Sequence, residues 1–472
     1  MKNNMVKICY IGGGSRNWAW VLMQDLAFEK EISGVIELYD IKPEDAKTNE
    51  ITGNALMEKH NQGRWTFHAN PSLENALEGS GFVFVSILPG DFEEMAVDVH
   101  LPEKYGLYQS VGDTAGAGGI IRALRTIPQF REIGRAIKKY APGAWVINYT
   151  NPMSVCTRTL YREFPGIKAF GCCHEVFNTQ KLLAAALEEA GLAPAGSIKR
   201  EDIKARVLGI NHFTWIDKAS WKDTDIFPYY KKFVDTYAEP GFRKAEAATT
   251  FAAGGASSTE EAGEAERRKY FSSAERVKMD LFRRYGLIAA AGDRHLAEFC
   301  PPSWYLKSPE LAESWGFALT PVSWRIKNRD KLIRQAKAYR DGTETMNPVE
   351  SGEEGIKLVK ALLGFGGMVS NVNFPNRGQM PDLPPDAVVE TNALFSRDNI
   401  QPLLTGGLPL DLRALVTHHV LAQEGIVEAV FEGDREKAFR IFSQDFAIQT
   451  LPPPDARSLF DEMCAKTLKE QG

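Results

Sequence analysis

Along the first 173 residues, short apolar runs alternate with stretches of helical periodicity. Val6–Gly12 is nearly continuously apolar, the pattern of a strand buried on both faces, and Ser15–Glu29 follows at helical spacing. Val35–Asp40 predicts a second strand, Pro43–Asn61 a long helix opening on proline, and Thr66–Ala69 and Phe82–Leu88 two further strands. A helical stretch over Gly119–Tyr140 precedes strand-like Ala144–Thr150 and Ile167–Cys172. This alternation predicts a parallel, doubly wound α/β sheet.

Beyond Cys173 the pattern changes. Val176–Ala190 predicts helix, Ile203–Ile210 strand, and Thr259–Tyr285 is rich in helix formers. Arg325–Arg340 is basic with little clear periodicity. Met368–Phe374 and Ala387–Leu394 are strand-like, and Asp411–Phe431 and Arg435–Phe446 are helical. Gly241–Ser258, with its alanines, glycines and serines, reads as a mobile loop or linker. The expected division is residues 1–173 as one domain and 174–472 as a mixed α+β domain sharing a cleft with it.

Composition narrows the class. The chain has 472 residues, 44% hydrophobic and 25% charged, enough for one large two-part enzyme. A net charge of −5 with mixed signs gives no reason to expect nucleic acid or an anionic membrane as partner. No apolar run approaches the ~20 residues that span a bilayer. Met1–Tyr10 lacks the apolar core of a secretory signal. The cysteines (Cys9, Cys156, Cys172, Cys173, Cys300 and Cys464) have no disulfide-framework spacing. The cytoplasm is the expected location.

The loop Gly12-Gly13-Gly14-Ser15-Arg16 lies between the first strand and first helix. Glycines there let the backbone turn sharply and approach a pyrophosphate at the helix amino terminus. Asp40 closes the second strand, where a carboxylate can bind both ribose hydroxyls of NAD and repel the 2′-phosphate of NADP. Strand, glycine loop, helix and acid together predict a Rossmann NAD-binding domain.

Ligands of such sheets bind beyond the carboxyl ends of the strands. Two clusters fall there. In Asn148-Tyr149-Thr150-Asn151-Pro152-Met153, Asn151 is either a helix cap followed by proline or an amide aimed at a ligand. Cys172-Cys173-His174-Glu175 offers a thiol, an imidazole and a carboxylate, either for a divalent metal or for acid–base work. His212, in Gly209-Ile210-Asn211-His212-Phe213-Thr214-Trp215, is a further ligand or a hydrogen-bonded core histidine. Spacing alone does not choose.

These motifs, with Tyr105-Gly106, Gly116-Ala117-Gly118-Gly119, Arg122-Ala123-Leu124-Arg125, Asn373-Phe374-Pro375-Asn376-Arg377-Gly378 and Leu383-Pro384, resemble glycoside hydrolase family 4 over nearly the whole chain. The resemblance implies an overall lactate/malate dehydrogenase-like fold and a glycosidase dependent on NAD and a divalent metal, usually Mn²⁺. It implies hydrolysis outside the two-carboxylate schemes. NAD⁺ takes hydride from C3 of the sugar, the C2 proton becomes acidic, the glycosidic oxygen leaves by elimination, water adds, and the first steps reverse.

Residue by residue, the resemblance implies Cys173 and His212 as metal ligands, Asn151 on the sugar, and Asn148 near the nicotinamide. His174 stands where some relatives carry an acid Asp. Asp293 is the expected C2 base, as in the branch where Asp replaces a tyrosine, with Tyr285 and Tyr270 as alternatives. Cys173-His174-Glu175-Val176 resembles the branch acting on α-galacturonides; α-galactosides, α-glucosides and α-glucuronides are the alternatives. Arg294 is the candidate for a uronate carboxylate, and Glu175 for orienting a hydroxyl or a ligand. Two stretches depart from the family pattern: Ser86-Ile87-Leu88-Pro89-Gly90-Asp91 and Val111-Gly112-Asp113-Thr114. A homodimer or homotetramer is expected, as in the family. The competing classes are a plain NAD-dependent dehydrogenase and a non-catalytic sugar or NAD sensor.

Overall fold

The buried run of β1 (Met5–Ile11) pairs in parallel with β2 (Ser33–Tyr39) on one side and β4 (Phe82–Val85) on the other. The molecule is described by a computed structural model that covers residues 5–243, 269–271 and 273–468. Most of the Gly241–Ser258 expectation, and the first part of Thr259–Tyr285, fall outside those residues.

β3 (Trp65–Ala69) flanks β2, and β5 (Trp145–Asn148) and β6 (Lys168–Gly171) continue beyond β4. The parallel order β3-β2-β1-β4-β5-β6 is that of a Rossmann sheet. β4 and β5 are buried at every residue, as strands covered on both faces must be. The crossovers include α1 (Trp18–Phe28), α2 (Pro43–Asn61), α3 (Leu73–Leu77), α4 (Phe92–His100), α5 (Gly116–Tyr140) and α6 (Met153–Glu163). α1 starts three residues later than its periodicity predicts, because the glycine loop runs on to Asn17.

α7 (Glu175–Glu189) leaves the sheet and leads to a separate hairpin, β7 (Ile203–Ile210) and β8 (Phe213–Trp221), edged by β9 (Thr224–Asp225) and β10 (Ile288–Ala289). Strand β8 has no counterpart among the sequence expectations. The chain then returns to the first sheet. β11 (Met368–Pro375), β12 (Val388–Ser396) and β13 (Asn399–Pro402) extend it antiparallel beyond β6, making nine strands. The mixed α+β region is thus built partly on the Rossmann sheet itself.

Arg325–Arg340, with little periodicity in the sequence, lies in a regular helix, Val322–Arg340. Only Val322, Trp324, Leu332 and Ala336 are buried, so its apolar stripe is too narrow to dominate a basic sequence. Other segments used below are α8 (Arg276–Tyr285), α9 (Asp293–Glu298), α10 (Val322–Arg340) and α11 (Leu410–Glu432). Among the described residues no helix is long and apolar enough to cross a membrane.

One apolar cluster carries both sheet halves. Ile8, Tyr10, Trp20, Leu38 and Phe170 from the parallel part share it with Val372, Ala393 and Phe395 from the antiparallel part. Phe395 is fully buried and meets Phe170 edge-on at 5.3 Å between centroids. Phe395→Ala is expected to cost about 3–5 kcal/mol in chemical denaturation. A loss below about 1 kcal/mol would show that the two halves do not share this core.

Candidate active site

At the carboxyl end of β1 the chain must turn back at once. Gly12 has φ +93° and lies so close to the Ser86 carbonyl that a Cβ would sit 2.0 Å from its oxygen. The Gly12 and Gly13 N–H groups both donate to the Tyr39 carbonyl, locking the loop to the end of β2. Asp40 accepts from the Gly14 N–H at 2.8 Å and from the Lys42 N–H at 2.9 Å, and each carboxylate oxygen keeps a lone pair.

Ser15 Oγ accepts from the Asn17 and Trp18 N–H groups as α1 begins. Arg16 is turned away, paired with Asp45 on α2. The first turn of α1 has no acidic residue and no side-chain cap from Asn17, which suits an anion there. Asn49 was not legible in the sequence. Its amide donates to the Gly13 and Ser15 carbonyls at 2.8 and 2.9 Å, and its oxygen accepts from Trp20 Nε1.

Asn148 ends β5 fully buried. Its side chain is closed on the backbone of Thr150, donating to the carbonyl and accepting from the N–H. Asn151 is no helix cap: α6 begins after Pro152 without a side-chain cap, following a cis Asn151–Pro152 bond. Its amide donates instead to Asp113 Oδ2 at 3.3 Å, and its Oδ1 is buried without a partner. The Arg122-Ala123-Leu124-Arg125 motif holds these strand-end loops from α5. Arg122 Nε donates to the Asn151 carbonyl and Arg125 Nε to the Pro89 carbonyl.

The opposing wall comes from the second half of the chain. The β7–β8 turn sets His212 at φ +63°, an uncommon conformation for a residue with a side chain, and α9 supplies His295. The two imidazoles stack at 3.8 Å between centroids. With Asp113 they form a group whose ligand atoms all lie within 4.8 Å of one another. The Thr114 hydroxyl donates to Asp113 Oδ1 at 2.7 Å and lies 3.1 Å from His212 Nδ1. Its one proton is committed to Asp113, so His212 Nδ1 carries the proton given to Thr114, and Nε2 keeps its lone pair.

The electrostatics fit that assignment. Burial, reinforced by the neighbouring His295, pushes His212 down to about 3, and burial also lowers His295. Burial alone would raise Asp113, but His295, His212 and Arg122 hold it well below the usual carboxylate range. Two neutral imidazoles and a carboxylate make a donor set for a divalent transition metal. Asp113 sits in one of the stretches that depart from the family pattern. Neither it nor His295 was singled out as a ligand from the sequence, because 181 positions separate them from each other and no local motif joins them to His212.

Cys173, expected beside His212, lies outside this three-residue group. Its buried thiol stands near Glu390, Glu175 and the Asn211 amide, and burial followed by those two carboxylates pushes its pKa well up. Glu175 opens α7 and accepts from the Gly292 N–H at 2.8 Å. Burial opposes its ionisation, yet His295, His174 and His212 draw it down to about 2. His174 places Nδ1 3.4 Å from Glu353, and its ring packs on Trp18, leaving Nε2 buried without a hydrogen bond. Glu353, distant in sequence from His174, carries no local signal.

Asp293 is fully buried. Its Oδ1 accepts from the Lys278 N–H in the first turn of α8, and its charged neighbours are Glu275 and Lys278 rather than the imidazole pair. Arg294 packs over Phe271 and donates to the Ser110 carbonyl at 2.5 Å and to the Thr320 hydroxyl. Tyr285 packs edge-on against Trp215. The Tyr270 carbonyl faces Thr320.

A Rossmann sheet whose strand ends meet a half-buried His–His–Asp group defines an α/β enzyme with its active site at the sheet's carboxyl edge. The chain belongs to glycosyl hydrolase family 4: the family described as "Family 4 glycosyl hydrolase" matches residues 7–189, and its C-terminal domain matches residues 207–448. An alpha-galacturonidase of Thermoanaerobacter italicus is 53% identical over 97% of this chain and 95% of its own. One from Bacillus subtilis is 48% identical over 98% and 97%. The crystal structure of the Bacillus subtilis protein lplD superposes with TM-score 0.89 at 47% identity, covering 97% of this chain and 99% of that one. A 6-phospho-alpha-glucosidase from gut microorganisms, in complex with NAD and Mn²⁺, shares the fold at TM-score 0.77 and 20% identity, covering 97% of each chain.

If His295 is a ligand, His295→Ala weakens Mn²⁺ binding by roughly 10–100-fold in a titration followed by the electron paramagnetic resonance of free Mn²⁺. Unchanged affinity would remove His295 from the donor set.

Proposed function

We propose that this protein hydrolyses α-galacturonides through oxidation at C3, proton removal at C2, elimination and water addition. The observation that carries the reading is the Asp113–His212–His295 group, joined through Asn151 to the sheet edge that also bears the Gly12–Asp40 loop. When bound, NAD⁺ supplies a hydride acceptor and the divalent ion, Mn²⁺ in this proposal, supplies Lewis acidity towards the sugar oxygens.

In this reading residues 1–173 seat the dinucleotide. Gly12, Gly13, Gly14 and Ser15 form its turn, Asp40 takes the ribose hydroxyls, and Asn148 and Arg16 brace the surrounding loops. Residues 174–472, with Asp113, hold the ion and the sugar. Cys173 is the further donor that the family resemblance assigns, and a cation in this group would favour its thiolate.

Asn151 turns its unpartnered Oδ1 to a sugar hydroxyl, and Glu175, ionised throughout the neutral range, orients another. His174, oriented by Glu353, presents Nε2 to protonate the leaving oxygen. Asp293 is the proposed C2 base. Its Oδ1 is pinned by Lys278, its Oδ2 has no partner, and burial followed by Glu275 raises its pKa to about 6. Tyr270 and Tyr285 are the alternatives. Arg294 is proposed to supply positive charge to the pocket that takes the uronate carboxylate.

The full-length similarity to alpha-galacturonidases at 48–53% identity supports the sugar class. Six unpaired cysteines suit the reducing cytoplasm proposed as its location. A homo-oligomer, a dimer or tetramer, is proposed on the family resemblance.

The test uses p-nitrophenyl α-galacturonide and the matching galactoside, with NAD⁺, Mn²⁺ and a reductant. Nitrophenol release from the galacturonide, abolished by omitting NAD⁺ or adding EDTA and without net NADH, is expected. Release from the galactoside alone would keep the reaction and overturn the sugar. NADH accumulation without nitrophenol would mark a dehydrogenase.

A further inference from the structure

Beside the proposed metal group two guanidinium groups share one aromatic ring. Arg294 of α9 and Arg325 of α10 both stand over Phe271, at 4.8 and 5.6 Å from its centroid. Their side chains come from separate elements, so nothing in local sequence forces the two cations together. Arginine keeps its charge at neutral pH, so two cations meet at one ring.

Neither is neutralised by an ion pair among the described residues. Arg294 spends Nη2 on the Ser110 carbonyl and the Thr320 hydroxyl, and its Nε is buried without a partner. Arg325 is half-buried and makes no hydrogen bond or ion pair among the described residues. The nearby carboxylates are committed elsewhere. Asp113 takes the Asn151 amide and the Thr114 hydroxyl, and Glu298 takes the Val111 and Gly112 N–H groups.

Two like charges partly removed from bulk water, with no carboxylate ion-paired to either among the described residues, are unfavourable, and the cost persists only where the surroundings fix it or a ligand relieves it. Arg294 adjoins His295 on α9, and both guanidiniums lie within electrostatic reach of Asp113.

We infer that Arg325 is the principal receptor for the sugar carboxylate, with Arg294 as the fixed second cation that positions it. This rests on the α-galacturonide reading and deepens it. Among the described residues the Arg325 guanidinium makes no hydrogen bond and so is open to a bidentate pair, whereas Arg294 is already fastened to Ser110 and Thr320. Arg294 therefore acts mainly by shaping the pocket, and Arg325 by reading the substrate's charge.

The test measures binding of D-galacturonate and D-galactose to the NAD⁺- and Mn²⁺-loaded protein by calorimetry, alongside hydrolysis of the two nitrophenyl glycosides. Arg325→Gln is expected to weaken galacturonate binding by ~30-fold or more and to lower the galacturonide-to-galactoside ratio of kcat/KM by a similar factor. Arg325→Lys, which keeps a cation without the planar fork, should recover part of both. Mn²⁺ affinity and Tm establish that each variant is folded. Galacturonate binding and substrate ratio unchanged in folded Arg325→Gln, with the wild type active on the galacturonide, would overturn this inference alone. A wild type that takes only neutral glycosides would overturn it together with the sugar reading beneath it.

Discussion

The geometry of the site depends on one buried carboxylate, Glu390 of β12. An anion so deep in the protein costs several kcal/mol unless its oxygens are satisfied. Here Oε2 accepts from the Thr214 hydroxyl at 2.7 Å and Oε1 from the Asn371 amide at 2.7 Å. Thr214 follows the β7–β8 turn that carries His212, and the second N–H of the Asn371 amide donates to the Cys173 carbonyl. One side chain thus joins the returning strands, the hairpin turn and the end of β6. Burial raises its pKa, and the hydrogen bonds from Thr214 and Asn371 oppose the rise. The bonds hold the buried carboxyl group where it orders three segments.

That arrangement explains how a dinucleotide-type sheet comes to carry hydrolytic chemistry. The parallel strands end in loops that are closed on themselves: the glycine turn on Tyr39, Asn148 on Thr150, Pro89 and Asn151 on two arginines of α5. They form a rigid floor. The imidazoles and the paired guanidiniums descend on it from the second half of the chain, the imidazoles and Arg294 on a hairpin and a short helix with their own apolar cluster and Arg325 on α10, which packs on the shared one. Asp113, from the floor, meets His212 and His295, from the roof. The shared cluster of the two sheet halves and the Glu390 bonds hold floor and roof in register at the cleft.

The floor was legible in the sequence because its signals are local. Gly12–Ser15, Asp40 and the proline-led helix Pro43–Asn61 are read from neighbours a few residues apart, and the structure has that helix at the same residues. The roof was legible only through the family resemblance. His212 was identified by its motif, but His295 and Asp113 become partners through tertiary contact alone. Asn151 shows the limit of local rules: an Asn-Pro before a helix reads as a cap, while the structure uses its amide to hold Asp113. The same limit hid Glu353 behind His174 and Arg325 within a basic helix whose apolar stripe is thin.

The central claim is that C–O cleavage passes through oxidation at C3 and loss of the C2 proton, rather than through direct displacement at the anomeric carbon. Hydrolysis of an α-galacturonide in D₂O, with NMR of the released galacturonate before it is processed further, tests that most directly. The account predicts deuterium at C2 of the product, with the C3 hydrogen retained and no net NADH. Product that carries protium at C2 under the same conditions would contradict it.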